Sequence, residues 1–496
     1  VLLGLAAVLA VPGHPTQARA PDRSPFPQPR PLTRGAAVPA QPARLAAQSV
    51  EQLLARANLG GVTGFAAVDA ATGEVVEAHQ ADAAVPPASV AKAPTALYAL
   101  RALGLEHRFV TRLRASGGGI EGGVLRGDLV FEGGGDPTLQ TEHLAALAQA
   151  LVGQGLRRVE GRFLVDDRAL PRIAAIDPGQ PPQAGYSPAI GGMNLNFNRV
   201  HFAWSTAAGG AQLSLDARSA AEVPQVSVIR IAAADRAQPI YTHAIRDGRE
   251  AWTVARPALG REGSRWLPVR QPALYAGDVL RALLAARGCT VPAPQVSAAA
   301  GGAILAEHRS DAMPQMMREM LRFSTNIVAE CAGLAASQRG GAVSDLAGSA
   351  ARMNGWLSGQ LGVEGLRFAD HSGLGEASRV TALGMARFFV AARRDGLLPD
   401  LLRAHPMRDG QGREMANHPV TVRAKTGTLN FVSGLGGYAQ AGGGREIAFA
   451  IFSADLPRRA AIPEADRDRP PGAQAWAGRA RALQQGLIER WAALHG

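Results

Sequence analysis

The chain has 496 residues, 47% of them hydrophobic, 19% charged and 5% aromatic, with a formal net charge of +11. That composition excludes a disordered chain, and at ~150 residues per domain the length suggests about two or three domains. All but two of the 52 basic residues are arginine, spread without a basic block or interleaved aromatics, which argues against a nucleic-acid-binding protein.

Residues 1–12 (VLLGLAAVLAVP) form an apolar run of signal-peptide length, followed by the small-x-small pattern Ala18-Arg19-Ala20, so residues 1–20 are expected to direct export. The run is too short to span a bilayer and no other stretch of 18 apolar residues occurs, so no transmembrane helix is expected in the mature chain. Residues 21–44 are rich in proline without periodicity and read as an extended linker. Helical spacing is expected from Leu45 to Leu59, strands over 62–68 and 75–79 around a turn at 69–73, and a helix from about Ser89 to Leu103. Within that helix, Pro94 deprives the Val90 carbonyl of a partner, so a local distortion is expected just after Ser89.

From Phe109 to Trp266 the texture changes to short β-like runs cut by glycine and proline, which reads as a separate β-rich insertion. Helical patterns resume over 275–287 and 313–335. Strands are expected at 420–428, 433–440 and 447–452, and a terminal helix at 473–494. Cys289 and Cys331 permit at most one disulfide, which an oxidising compartment would allow.

The two lysines, Lys92 and Lys425, are the most informative residues. Arginine does not give up its proton, whereas a desolvated lysine can, so a chain that otherwise avoids lysine keeps it where a free amine or a compact ammonium matters. Lys92 closes Ser89-Val90-Ala91-Lys92; positions i and i+3 share a helix face, which sets an amine beside a hydroxyl as base beside nucleophile. A lysine works as a base near neutrality only if its pKa falls from ~10.4 to ~7–8. Lys425 offers a like charge: at ~5 Å and an effective dielectric of ~20, repulsion is ~3 kcal/mol, about two pKa units.

Lys425-Thr426-Gly427-Thr428 ends a strand pattern, where an edge can pair with an extended peptide, Gly427 keeps a side chain out of the way, and Thr426 and Thr428 offer hydroxyls to a carboxylate. The backbone N–H groups of Ser89 and Thr428 are candidates for an oxyanion hole. Ser324-Thr325-Asn326 falls between two helical runs. For Ser324 and Asn326 to reach one cleft the segment must be an interhelical turn, with Ser324 relaying a proton to the leaving group and Asn326 holding a substrate carbonyl; the plainer reading is a helix cap.

In the order SxxK, SxN, KTG, these residues resemble the active-site set of penicillin-recognising serine enzymes. The separation of 235 positions from Ser89 to Ser324 points to an inserted domain, as in the D-alanyl-D-alanine carboxypeptidase/endopeptidases of peptidase family S13, the class C low-molecular-mass penicillin-binding proteins. Similar stretches are Gly133-Gly134-Gly135-Asp136-Pro137-Thr138-Leu139, Tyr186-Ser187-Pro188-Ala189 leading to Asn194-Leu195-Asn196, and Ser372-Gly373-Leu374. Asp370-His371-Ser372-Gly373 departs from the usual Asp-Gly-Ser-Gly, and Ala91 and Pro94 are atypical. The resemblance implies an α/β (α+β) chain: a β-lactamase/transpeptidase-like domain with a central antiparallel sheet flanked by helices (45–108 and 267–496) and an inserted β-rich domain (109–266). It further implies peptidoglycan stem peptides as substrate, acylation of Ser89 by β-lactams, a periplasmic location and no cofactor. No HExxH or P-loop pattern suggests a metal or nucleotide site.

An α/β-hydrolase elbow at Gly185-Tyr186-Ser187-Pro188-Ala189 fails, because Pro188 has no N–H to give an oxyanion. A β-lactamase requires an activated water, for which no carboxylate can be placed. A catalytically inactive wall-binding protein would retain the cleft but lose part of the three motifs, and none is missing.

Overall fold

The computed structural model describes residues 48–207, 210–299, 301–409 and 411–495. The expected export segment, the proline-rich linker and residues 45–47 of the first expected helix lie outside them. Helix α1 is Val50–Ala57, shorter than its periodicity suggests, because Ser49 caps it: the hydroxyl accepts from the Gln52 N–H and the Gln52 side chain accepts from the Ser49 N–H. Strands β1 (Val62–Asp69) and β2 (Val75–His79) follow as a hairpin.

Helix α2 (Lys92–Leu103) begins three residues later than its pattern suggests. Residues Ala88–Ala91 form a 3₁₀ turn instead, so the distortion falls on Ser89 itself. Proline explains the shift. With α2 starting at Lys92, Pro94 sits in the first turn, where its missing N–H has no intrahelical partner to lose. Further on, α3 (Met313–Phe323) and α4 (Asn326–Gln338) are separated by Ser324 in a left-handed conformation (φ 59°), and α5 spans Ala382–Asp395. Strands β3 (Thr421–Leu429), β4 (Val432–Gln440) and β5 (Glu446–Ala454) precede α6 (Ala473–His495).

The five strands form one antiparallel sheet in the order β3-β4-β5-β1-β2, which leaves β3 at an edge. On one face α1 and α6 bury Leu53, Trp476, Leu483, Leu487 and Trp491 against Phe65, Leu435, Phe449 and Ile451. On the other, α5 lays Phe389 against Gly436 and Tyr438, whose hydroxyl donates to the Phe389 carbonyl at 2.7 Å. Behind α5's face of the sheet, α2 packs on α3 and α4.

The region after Leu103 builds a second core. A five-stranded mixed sheet runs in the order 294–296, 163–166, 128–132, 110–116, 303–309, with helices 141–153 and 272–286 against it and two three-stranded sheets within 199–268. Its outer strands, 294–296 and 303–309, come from the segment that the sequence pattern assigns to the catalytic part. We therefore propose that the inserted unit runs from about 109 to about 309. Cys289 and Cys331 are both buried free thiols, so no disulfide joins them.

His371, the departure from Asp-Gly-Ser-Gly, is fully buried, and its Nε2 lies 2.7 Å from Ser349 Oγ. Room for the ring comes from α4: a Cβ on Gly333 would lie 2.2 Å from His371 Cγ. Gly333→Ala is therefore predicted to destabilise the chain by about 1–3 kcal/mol through overpacking. Adding His371→Gly should recover part of that loss, giving a non-additive double-mutant cycle in urea unfolding; strictly additive effects would refute the coupling.

Candidate active site

Ser89 lies inside the 3₁₀ turn and Lys92 caps its end; side chains three residues apart eclipse in such a turn, so the two project to the same side. Ala88, just before Ser89, is held at φ 47°, a region that costs a non-glycine residue about 1–3 kcal/mol and persists only where neighbours fix it. Two close approaches do so. A Cβ on Gly373 (φ 74°) would sit 1.9 Å from the Ala88 carbonyl oxygen, and one on Gly427 would sit 2.9 Å from the Ser89 nitrogen. The 372–374 loop and strand β3 thus press directly on the turn that carries Ser89.

Lys92 is completely buried, and its Nζ is 2.9 Å from Ser89 Oγ, 2.7 Å from Asn326 Oδ1 and 2.8 Å from the Ser372 carbonyl oxygen. The last two groups can only accept. A neutral amine has two hydrogens and one lone pair, so once both hydrogens are given to Asn326 and Ser372 the lone pair is left facing the Ser89 hydroxyl. In the ammonium form the third N–H points to Ser89 Oγ instead, so a proton can pass between them without rearrangement.

Ser324 and Asn326 do reach one cleft from the α3–α4 turn. Ser324 is the left-handed C-cap of α3, Thr325 is the N-cap of α4 with no side-chain capping bond, and Asn326 is the first residue of α4. Neither the Ser324 hydroxyl nor the Asn326 amide is spent on a cap. Asn326 Nδ2 donates to the Tyr186 carbonyl at 2.9 Å, which ties the insertion to the site. Lys425 Nζ donates to Ser324 Oγ at 3.0 Å and to the Thr426 carbonyl at 2.7 Å. Thr428 lines the cleft with Ser89, Ser324 and Asn326, whereas the Thr426 side chain, exposed on the strand face opposite Lys425, is not part of that lining.

The cleft holds about 1400 Å³ and is walled by three parts of the chain: Asp177 to Tyr186 of the insertion, Gly373 to Ala377, and Arg459 to Arg481 near the C-terminal end. That volume exceeds a typical small-molecule site and suits a peptide. Ser187 is buried with its hydroxyl on the Asp177 backbone at 2.9 and 3.0 Å, so it stabilises the Asp177 loop.

The electrostatics correct one expectation. Burial pushes Lys92 down to about 8, while Glu330 and Asp370 hold it from falling further; Lys425 does not drive that shift. Lys425 is itself pushed well below its ordinary value, first by burial and then by the charge of Lys92 and Arg403. Among the described residues Lys92 is the amine with buried counter-charges, Glu330 and Asp370, whereas Lys425 hydrogen-bonds to the Ser324 hydroxyl and the Thr426 carbonyl.

Glu330, one turn beyond Asn326 on α4, escaped the sequence reading, as did the roles of Asp370 and Ser372. Glu330 accepts from the N–H groups of His371 (3.0 Å) and Ser372 (2.8 Å), and Asp370 from those of Gly373 and Gly375 (2.7 Å each). The i+4 spacing of a glutamate from Asn326 on an otherwise apolar helix was the available signal. Among the described residues no group of three His, Cys, Asp or Glu side chains is arranged to hold a metal ion.

A family model of the D-Ala-D-Ala carboxypeptidase 3 (S13) family matches residues 46–468. The chain belongs to that family. Its membership makes it a serine-type D-Ala-D-Ala carboxypeptidase. It is 30% identical to the D-alanyl-D-alanine carboxypeptidase of Actinomadura sp. (strain R39), over 79% of this chain and 78% of that one. It is 24% identical to the D-alanyl-D-alanine carboxypeptidase DacB of Haemophilus influenzae, over 82% and 88% of the two chains. The S13 fold is likewise shared with the crystal structure of penicillin binding protein 4 (dacB) from Haemophilus influenzae, with a TM-score of 0.68 at 20% identity, covering 82% of this chain and 93% of that one.

With only two lysines, selective ¹³C labelling of lysine should give two side-chain resonances whose titration reports the site directly. Lys92 is predicted to titrate near pH 8 and Lys425 well below 10.4; a resonance with an ordinary lysine midpoint would contradict the burial described here.

Proposed function

We propose that Ser89 is the nucleophile of a D-Ala-D-Ala carboxypeptidase acting on peptidoglycan stem peptides outside the cytoplasm, and that Lys92 is its base. The observation that carries this reading is the pair of fixed acceptors on Lys92 Nζ, which aims the remaining valence at Ser89 Oγ. Lys92 takes the hydroxyl proton as Ser89 Oγ attacks the penultimate D-Ala carbonyl. The N–H groups of Ser89 and Thr428 receive the oxyanion, and losing one such donor typically costs ~2.7–4 kcal/mol of transition-state stabilisation. The amine of the departing D-Ala is protonated through Ser324, which Lys425 holds, and water then resolves the acyl-enzyme.

The charge pattern gives the substrate's terminal carboxylate a part in this chemistry. Among the described residues Lys425 has no carboxylate partner, so an anion bound beside Thr428 in the cleft favours its ammonium form. A positive Lys425 then repels the proton on Lys92 by the like-charge effect and favours the free amine. Substrate binding would thereby arm the base. A β-lactam, which also presents a carboxylate beside a strained carbonyl, is expected to acylate Ser89 by the same route and to deacylate slowly. The envelope location rests on the export-like first 20 residues and on family; among the described residues no helix is long and apolar enough to cross a membrane.

Labelled penicillin is predicted to attach to Ser89 of the wild-type protein and not to Ser89→Ala. Lys92→Arg should label at least 10³-fold more slowly although its charge is kept, since arginine stays protonated; near-normal labelling would refute the base assignment. The rate of acylation should rise with pH through the Lys92 value near 8, because only the deprotonated amine is competent. Release of D-Ala from a pentapeptide, compared with cleavage of a cross-linked dimer, separates carboxypeptidase from endopeptidase action.

A further inference from the structure

Beneath the nucleophile lies a layer of buried carboxylates that the reaction as drawn does not use. Glu330 is fully buried on α4, and both its oxygens face the backbone N–H groups of His371 and Ser372. Ser372 is shared through two successive peptide groups: its N–H points to Glu330 and its carbonyl accepts from Lys92 Nζ. Thr95 Oγ1 of α2 donates to the next carbonyl back, that of His371, at 2.7 Å. The 371–372 backbone is therefore gripped on one side by α4 and on the other by α2, with Lys92 at the end of the grip.

We propose that Glu330 is a positioning residue for the acylation step: acting through the backbone of Ser372, it fixes the carbonyl that orients Lys92 and supplies the buried counter-charge for the ammonium Lys92 forms. This inference rests on the assignment of Lys92 as base. Several charged or titratable groups face this cluster: Lys92 from α2, Asp370 and His371 from the loop, Cys331 from α4 itself, Asp177 from the insertion and Lys425 from β3 across the turn. His371 is held to its neutral form by burial, with a value near 3, so it adds no counter-charge. Burial and Asp370 push Glu330 upward, while the Ser372 hydroxyl and the two N–H groups pull it down, and the Lys92 charge, which Glu330 favours, favours the carboxylate in return. Its oxygens face two N–H donors, leaving a carboxylic proton only the Ser372 hydroxyl to meet, an arrangement built for the ionised form.

The sign of the effect is fixed. A nearby carboxylate favours the ammonium of Lys92 and raises its pKa, so removing the charge lowers the pH at which the free amine appears. In Glu330→Gln, which keeps shape, the acid limb of penicillin acylation should move down by about one pH unit while the plateau rate falls at least tenfold, because one N–H loses its acceptor. Glu330→Asp keeps the charge on a shorter arm, so its midpoint should stay within about 0.3 units of wild type while its plateau rate falls. The measurements are acylation rates from pH 5.5 to 9.5, with unfolding curves as a check on the fold. An unmoved midpoint in Glu330→Gln overturns the counter-charge role, and a wild-type plateau in Glu330→Asp overturns the positioning role, even should Glu330→Gln not fold. Failure of the wild-type protein to acylate at all would instead overturn the function on which this inference rests.

Discussion

One nitrogen atom organises this molecule. Lys92 Nζ touches Ser89 from its own turn, Asn326 from α4 and Ser372 from a loop 280 residues away in the chain. Burying an amine is costly, and the cost is tolerable only where every hydrogen finds an acceptor and the charge finds a counter-charge. The surroundings meet both conditions, through carbonyl oxygens close by and carboxylates one layer out. The same environment that makes the ammonium bearable leaves it near its point of deprotonation, which is the state a base requires.

Packing around Ser89 follows from this. Ala88 is held in an unfavourable backbone conformation because Gly373 and Gly427 let two other segments close on it. The strain is local, and the parts that impose it are rigid: an edge strand of a five-stranded sheet and a loop fastened by Glu330, Asp370 and Thr95. A hydroxyl placed this way would need little reorganisation to act on a bound substrate, and such prior ordering is a large part of how an enzyme lowers a barrier.

Much of the candidate site was legible in the sequence because its chemistry demands particular residue types at short spacing: an alcohol and an amine one turn apart, an alcohol and an amide flanking one residue, a lysine ahead of a small residue on a strand. The hairpin, the three late strands and the terminal helix were legible from periodicity. What was not legible depends on pairing across distance. Strands 294–296 and 303–309 join a sheet whose first strand starts at Val110, so no local pattern marks the insertion's far boundary. Glu330 reads as an ordinary helix glutamate until the 370–375 loop is laid over it. The direction of influence between the lysines also eluded the pattern, because it depends on which amine has carboxylates behind it. His371 stood out as a departure, but only the packing shows that Gly333 makes room for the ring.

The scarcity of lysine has a practical side. Lys92 and Lys425 are both buried, at 0% and 3% exposure, so the described surface carries its positive charge on guanidinium groups alone. Reagents that seek out aliphatic amines would therefore find no lysine on the outside of this fold, and any lysine modification detected by mass spectrometry would register entry into the catalytic cleft.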